Sequence, residues 1–186
     1  MNNKLLLLAT AACVLTALVP VSRVLGAGEL SQRLPETQSV AVAGTAVPVS
    51  QILAKLKGKT QLPIFIPTRL IVSRKLYYYS QAQPNSYAIS IDYTANCRGA
   101  GACNFGEIRV QKGGKFSTKL EGVTESLKNV QLAGGMKGVF HSGCGAYCTA
   151  SIQWKKQGFM YTISIKNGGQ SDLILTANSA ILARKS

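Results

Sequence analysis

The sequence has few of the side chains with which enzymes transfer protons. Its 186 residues include seven Asp and Glu and a single histidine, His141. The acidic residues occur singly from Glu29 to Asp172, so no two carboxyl groups are placed for general acid–base catalysis. A Ser-His-Asp catalytic triad would have to use this one histidine. The composition therefore indicates a protein that is not an enzyme.

The sequence also lacks a recognisable cofactor motif. The glycine-containing segment from Gly134 to Gly138 does not have the strand-to-helix setting of a phosphate-binding loop. No Cys-x-x-Cys pair is present for redox chemistry or for a zinc ribbon. We therefore expect neither a cofactor nor a bound metal ion.

The N-terminus has the three parts of an export signal. Lys4 supplies a positive start, residues 5–21 are apolar, and Gly26 offers a small residue for cleavage. Residues 1–26 are thus predicted to be a signal peptide, which makes the protein periplasmic or extracellular with no transmembrane segment after processing. A retained membrane anchor is the alternative. Lipid attachment at Cys13 is a further alternative, which the hydrophobic residues after Cys13 disfavour.

Positive charge is abundant. Lys and Arg number 21 against seven acids, so the net charge is +14. An excess of this size attracts anions over long distances and says nothing about fold. For an exported protein we expect the partner to be an anionic envelope polymer, a lipid surface or an acidic protein, and not nucleic acid. The alternative is that scattered lysines only solvate the surface.

The rest of the chain is predicted to comprise a linker and one domain. Residues 27–47 have no sustained hydrophobic period and indicate a flexible linker. Residues 48–186 are long enough for a single domain with a hydrophobic core. At its two ends, Ser50 is expected to cap a helix that Gly58 terminates, and Ser171 to cap a C-terminal helix.

Between these helices the sequence predicts strands. Residues 87–93 alternate between apolar and polar positions, as a half-buried strand does. Residues 63–67 are apolar and bounded by prolines, which favours an edge strand. Residues 151–154 and 159–165 form a hairpin pattern in which Trp154 is a core residue, and residues 107–110, 129–132 and 138–141 are further strands. We therefore predict an α+β fold, an antiparallel sheet with both helices packed on one face.

Four cysteines lie in two glycine-rich segments that are predicted to be loops outside any helix or strand. Cys97 and Cys103 form the first pair, and Cys144 and Cys148 the second. Four cysteines allow three pairings. Local pairing is favoured because glycines let each loop fold back within bonding reach. Cross-loop pairing stays open, since it would contribute about 4 kcal/mol per bond against about 2 kcal/mol for a local one.

A basic and aromatic segment is the candidate ligand-binding region. Arg69, Arg74 and Lys75 precede Tyr77 and Tyr79, and such residues stack on sugars or contact anionic surfaces. Neighbours on a strand face opposite ways. The alternative is therefore that either the middle tyrosine of this triplet or its two outer ones belong to the core.

The C-terminal fifty residues carry a family likeness. Segments 145–147, 152–154, 158–161 and 177–180 resemble the C-terminal domain of sporulation-associated and anti-sigma-type exported lipoproteins. With segments 62–67 and 97–103 added, the whole chain is similar to small secreted cyanobacterial proteins of unknown function. The resemblance implies an antiparallel sheet with a flanking C-terminal helix, and a location in the envelope. The two cysteine pairs depart from the lipoprotein pattern, which puts a shared signalling role in doubt.

Three functions are compatible with these observations. The favoured one is an exported, non-enzymatic binding domain whose basic surface contacts an anionic envelope partner. A hydrolase or thiol enzyme would use Cys144 as nucleophile and His141, three residues earlier, as base. A structural assembly subunit is the third.

Overall fold

The computed structural model of the protein describes residues 44–116 and 124–183. The predicted signal peptide and the predicted linker up to residue 43 lie outside this part of the chain. The strands and α-helices of the described part are, in chain order, β1 (Thr45–Ala46), α1 (Val49–Leu56), β2 (Arg69–Leu70), β3 (Tyr77–Gln83), β4 (Ser86–Asp92), β5 (Asn104–Lys112), β6 (Thr124–Gln131), β7 (Lys137–Cys144), β8 (Cys148–Lys156), β9 (Phe159–Lys166) and α2 (Gln170–Leu182). Two 3-10 helices, Gly101–Cys103 and Ala133–Gly135, precede β5 and β7.

Seven of these strands form one antiparallel sheet. Their spatial order is β3-β4-β5-β9-β8-β7-β6. The sheet consists of two series of consecutive antiparallel strands, β3 to β5 and β6 to β9, which are joined where β5 pairs with β9. The short strands β1 and β2 form a separate antiparallel pair. The predicted antiparallel α+β class is confirmed.

One face of the sheet is apolar. Ile89, Ile108, Ile163, Ile152 and Phe140 lie opposite one another on five neighbouring strands. Each of these side chains is at most 5% exposed. Because apolar burial contributes about 25 cal/mol per Å², this row is a principal source of stability. It also explains why a period of two is so clear in the sequence.

Both helices cover the apolar face. Ile52 and Leu56 of α1 and Leu173 and Ala177 of α2 belong to the same buried cluster as the isoleucine row. α1 contacts β3, whereas α2 contacts β8 and β9. In the part of the chain that the structure describes, no helix combines the length and hydropathy needed to cross a membrane.

The opposite face of the sheet is polar. Ser90, Glu107, Ser164 and Ser151 lie opposite one another on β4, β5, β9 and β8. Arg109 lies on the same face of β5, two residues beyond Glu107. Open cavities are found on this face at β3 to β5, and no residue of α1 or α2 lines them. The polar face therefore carries the candidate functional site.

The predicted helix caps are wrong. α1 begins directly after Pro48, and Ser50 lies inside its first turn. α2 begins directly after Gly169, and Ser171 again lies inside the helix. No side chain caps either N-terminus, because a proline and a glycine occupy the positions just before the helices. The predicted end of the first helix is confirmed, since Gly58 follows it with φ of 79°.

The predicted edge strand at residues 63–67 is also wrong, because this segment pairs with neither sheet. Its central residue is bonded to a side chain instead: the backbone N–H of Phe65 donates to the Tyr87 hydroxyl at 3.1 Å. Proline at both ends removes two backbone donors that a strand ladder would need.

The folded domain begins inside the segment assigned to the linker. Thr45 and Ala46 pair with Leu70 and Arg69, and Val47 is only 7% exposed. The hydroxyl of Thr45 also donates to the carbonyl of Val72 at 2.6 Å. Residues 45–47 therefore belong to the packed domain.

Both disulfides are local, as predicted. Cys97 is bonded to Cys103 with a Cα–Cα distance of 5.7 Å, and Cys144 to Cys148 with 3.9 Å. The expectation that all four lie outside regular structure is wrong for three of them, because Cys103 ends a 3-10 helix (Gly101–Cys103), Cys144 ends β7 and Cys148 begins β8. The second disulfide thus closes a hairpin, while the first closes the connection between β4 and β5.

Candidate functional site

A buried carboxylate organises the first disulfide loop. Asp92, at the end of β4, is 2% exposed. Its oxygens accept hydrogen bonds from the Ser90 hydroxyl at 2.7 Å, the Asn104 amide at 2.9 Å and the backbone N–H of Gly99 at 3.2 Å. These bonds compensate for burial of the charge. They connect β4, β5 and the loop.

The same loop presents Arg98. This residue follows Cys97 and has φ of 51°, and Gly99 has φ of 83°. A residue other than glycine adopts such a φ only when its surroundings hold it there. The disulfide on one side and the Gly99–Asp92 hydrogen bond on the other provide that constraint. The backbone that carries the Arg98 guanidinium is therefore organised before any ligand binds.

Three cations near this loop each lie over a tyrosine ring. The Arg98 guanidinium is 5.9 Å from the ring centroid of Tyr79. The other two contacts pair Arg74 with Tyr93 at 5.0 Å and Lys75 with Tyr77 at 5.2 Å. We call these six residues the cation–tyrosine cluster. Tyr77 and Tyr79 share a face of β3, opposite Asp92 and Ser90 of β4.

The cations of the cluster have no acidic partner in the described chain. The salt bridge found there joins Glu107 and Arg109 at 3.0 Å, both outside the cluster. Arg74, Lys75 and Arg98 are all exposed. Their positive charge is consequently available to an anion.

A polar trough adjoins the cluster on the same face of the sheet. A cavity of about 310 Å³ extends from Arg98 and Tyr79 to Arg109. A second cavity of about 160 Å³ continues past Arg109 to Gln111. Ala88 lines both, and its small side chain leaves the space open. The residues that line this polar trough are chiefly Tyr79, Gln81, Ala88, Ser90, Arg98, Asn104, Glu107, Arg109 and Gln111.

The second disulfide loop lies at the same end of the sheet. Lys166, the last residue of β9, donates a hydrogen bond to the carbonyl of Gly101 in the first loop. Its ammonium is also 4.2 Å from the ring centroid of Tyr147 in the second loop. Tyr147 is 51% exposed. One lysine therefore links the two loops.

Four of the five predicted ligand-binding residues come together. Arg74, Lys75, Tyr77 and Tyr79 belong to the cation–tyrosine cluster, whereas Arg69 lies in β2, opposite Ala46. Their binding role stays a prediction. The intervening Tyr78 faces the apolar side and packs against the core, and burial raises its pKa to about 12.

The alternative thiol site is not assembled. Cys144 is bonded to Cys148 and offers no thiolate. His141 is 2% exposed on β7, and because residues three apart on a strand face opposite ways, its ring is directed away from Cys144. Among the described residues no group of three or more His, Cys, Asp and Glu is placed to bind a metal ion.

Sequence reasoning missed the residues that organise the site. Strand alternation predicts only that Asp92 lies on the polar side of its strand, and the cysteine spacing predicts only a structural loop around Arg98. A usable signal was present, because an acidic residue ends a strand five residues before a cysteine that opens a glycine-rich loop. Arg109 and Gln111 had no signal beyond strand alternation.

Searches against protein-family models, curated proteins and solved structures find no match for this chain. The resemblance to exported lipoproteins and small secreted cyanobacterial proteins stays a prediction. Function is therefore inferred from the chemistry of the chain's own residues.

Proposed function

We propose that this protein is an exported, non-enzymatic binding protein for an acidic polysaccharide of the cell envelope. The observation that carries the proposal is the cation–tyrosine cluster, in which three exposed cations each lie over a tyrosine ring and have no acidic partner in the described chain. Cations that lie over aromatic rings keep their charge accessible while their side chains are ordered. Such a surface attracts a polyanion strongly.

The polar trough supports a saccharide over other anions. Its lining combines an exposed aromatic ring, Tyr79, with amide and hydroxyl groups, which are the groups that stack on and hydrogen-bond to sugar rings. In the lining of the trough, Arg109 is paired with Glu107 at 3.0 Å. The exposed Arg98 is therefore the cation that would contact a carboxylate or sulfate group of a bound polymer.

Preorganisation supports specific rather than diffuse attraction. The Cys97–Cys103 disulfide and the buried Asp92 hold the backbone beside Arg98. Binding to a loop that is already ordered costs less conformational entropy than binding to a loop that must become ordered at the same time. The thiol-enzyme alternative loses its nucleophile to the Cys144–Cys148 bond, so it has no comparable support.

A binding measurement with matched charge variants tests the proposal. One variant combines Arg74→Gln, Lys75→Gln and Arg98→Gln. Its control, with the same loss of charge at exposed sites elsewhere, combines Lys55→Gln, Lys59→Gln and Lys137→Gln. Polygalacturonate is the probe, and a neutral glucan, anionic vesicles and polyglutamate represent the other partner classes.

We expect polygalacturonate to bind at about 0.1 M salt and to be released near 1 M, where the Debye length falls from about 10 Å to about 3 Å. The cluster variant should lose at least about tenfold in affinity, and the control less than about threefold. Equal losses of affinity in both variants would contradict a specific site, because they would show that polygalacturonate responds only to the overall charge. Tighter binding of vesicles or polyglutamate would identify a different partner class.

A further inference from the structure

A third cavity lies away from the cation–tyrosine cluster and differs in chemistry from the two cavities of the polar trough. It is a groove of about 460 Å³ between α1 and residues 62–66, with Ala183 at one end. Its walls are apolar and include Val49, Leu53 and Ala54 from α1 and Ile64 and Phe65 from the facing segment. We call it the α1 groove. It shares no lining residue with the polar trough.

Both walls of the α1 groove are anchored to the core. Ile52 and Leu56 hold α1, with exposures of 2% and 0%. The facing segment is fixed at Phe65, whose ring packs edge-on against Tyr161 with centroids 5.3 Å apart and whose N–H bonds the Tyr87 hydroxyl. The groove is therefore a preformed feature with a volume typical of small-molecule sites, about 300–1,000 Å³.

Among the residues that the structure describes, the groove lining contains one charged group. Lys57, which follows the last residue of α1, is the only ionisable side chain in that part of the lining. It is exposed, so the charge lies where the groove opens to solvent. An apolar channel with a cation at its mouth is complementary to an alkyl chain that ends in an anionic head group.

We propose that the α1 groove binds a single-chain amphipathic carboxylate, with its alkyl chain along α1 and its carboxylate at Lys57. This ligand class is favoured over a second copy of the chain on charge. Each copy has a net charge of +14, so a second copy seated on this basic helix meets repulsion, whereas a carboxylate meets attraction. The proposal is independent of polysaccharide binding, because the two sites share no residue.

The test is calorimetric titration of the exported form of the protein with octanoate, decanoate and dodecanoate below their micelle concentrations. Each buried methylene should tighten binding by up to about fourfold. We therefore expect affinity to rise along the series until the groove is filled. Dodecyl alcohol should bind less tightly than dodecanoate, since it has no charge for Lys57.

Two variant pairs locate the site. Ala54→Trp places a large side chain in the groove from an exposed helix position, and Gln51→Trp places the same side chain at an exposed position of α1 outside it. Lys57→Gln removes the charge at the mouth, and Lys55→Gln removes one from the same helix outside the lining. Circular dichroism checks that all four variants fold.

We expect Ala54→Trp to weaken dodecanoate binding more than about tenfold and Lys57→Gln about three- to tenfold, with both controls within about twofold. Absence of dodecanoate binding overturns the proposal, and so does binding that Ala54→Trp leaves unchanged. A dimer in sedimentation that Ala54→Trp dissociates would assign the groove to a second copy instead. None of these results bears on polygalacturonate binding, so the two proposals fail separately.

Discussion

The ammonium of Lys166 lies 4.2 Å from the ring centroid of Tyr147 and also bonds the carbonyl of Gly101. These two contacts join disulfide loops that are more than forty residues apart in the sequence. They are possible because β9 lies between β5, which begins after the first loop, and β8, which begins where the second loop ends. The two loops therefore form one surface at one end of the sheet.

Replacing Lys166 with Met should uncouple the loops while keeping most of the packing of the stem. We expect the free energy of unfolding to fall by about 0.5–1.5 kcal/mol. Amide hydrogen exchange should accelerate in residues 97–103 and in residues 144–148. Lys155→Met, in the neighbouring strand and exposed, is the control. Faster exchange in one loop alone would show that Lys166 does not couple them.

The two disulfides should contribute similarly to the stability of the protein, but only the first should contribute to ligand binding. Thiol titration of the folded exported protein should find none of the four cysteines reactive. The double variant Cys97→Ser/Cys103→Ser should lose about 2 kcal/mol of stability, and Cys144→Ser/Cys148→Ser a similar amount. Only the first should weaken polygalacturonate binding, because Arg98 lies in its loop. Equal effects on binding would contradict this division.

Asp92→Asn tests whether the buried carboxylate organises the site. The new amide places an N–H₂ group against donors, either the Asn104 amide or the Gly99 N–H. We expect a loss of about 1–3 kcal/mol in the free energy of unfolding from unpaired buried groups, together with weaker polygalacturonate binding. Glu107→Gln, on the same face and more exposed, should change stability by less than about 0.5 kcal/mol. A stable Asp92→Asn protein would rule out this role.

Two buried tyrosines should respond oppositely to loss of their hydroxyls. The Tyr87 hydroxyl accepts from the Phe65 N–H at 3.1 Å, so Tyr87→Phe leaves a buried donor unpaired and should cost about 1–3 kcal/mol. The Tyr161 hydroxyl is buried with no hydrogen-bond partner among the described residues, so Tyr161→Phe should be neutral or stabilising. Chemical denaturation of the two variants measures the difference. A similar loss in both would refute it.

Stability should fall in strongly alkaline solution. Burial raises the pKa of Tyr78 and of Tyr161 from 10.0 to about 12. The folded state holds these phenols protonated. Their contribution to the free energy of unfolding is therefore complete below about pH 10 and is lost between about pH 10 and about pH 12. Unfolding free energies measured across this interval at constant ionic strength should decline, and less steeply for Tyr161→Phe. A flat profile up to about pH 12 would contradict the assignment.

Local patterns predicted the parts of the fold that depend on neighbouring residues. Alternation at residues 87–93 predicted β4, and the hairpin pattern at residues 151–165 predicted β8 and β9. The proline-bounded segment at residues 63–67 misled prediction, because Phe65 bonds a tyrosine hydroxyl rather than a strand. The caps failed for a similar reason, since Ser50 and Ser171 have cap chemistry but lie within helices that begin earlier.

The candidate site was predicted in part. Four of its residues lie within six positions of one another in the sequence: Arg74, Lys75, Tyr77 and Tyr79. Their proximity could therefore be predicted from local sequence alone. Arg98 joins them through the pairing of β3 with β4, which brings Ser90 and Asp92 beside Tyr79 and Tyr77. Asp92 was expected simply on the polar side of its strand, yet Gly99 of the disulfide loop folds against it and it is buried. Such contacts between residues far apart in the chain produce no periodic pattern in the sequence.

The sequence by itself determined the strand alternation and the excess of positive charge, and it favoured local disulfide pairing, because each depends on residue type and on separations of a few residues. Only the tertiary structure decided that β5 pairs with β9, that Lys166 therefore reaches both loops, and that α1 and residues 62–66 enclose a groove. The strand order is the one that buries the whole apolar face of the sheet. The free energy gained by this burial depends on the complete core, so no short segment of the sequence determines it.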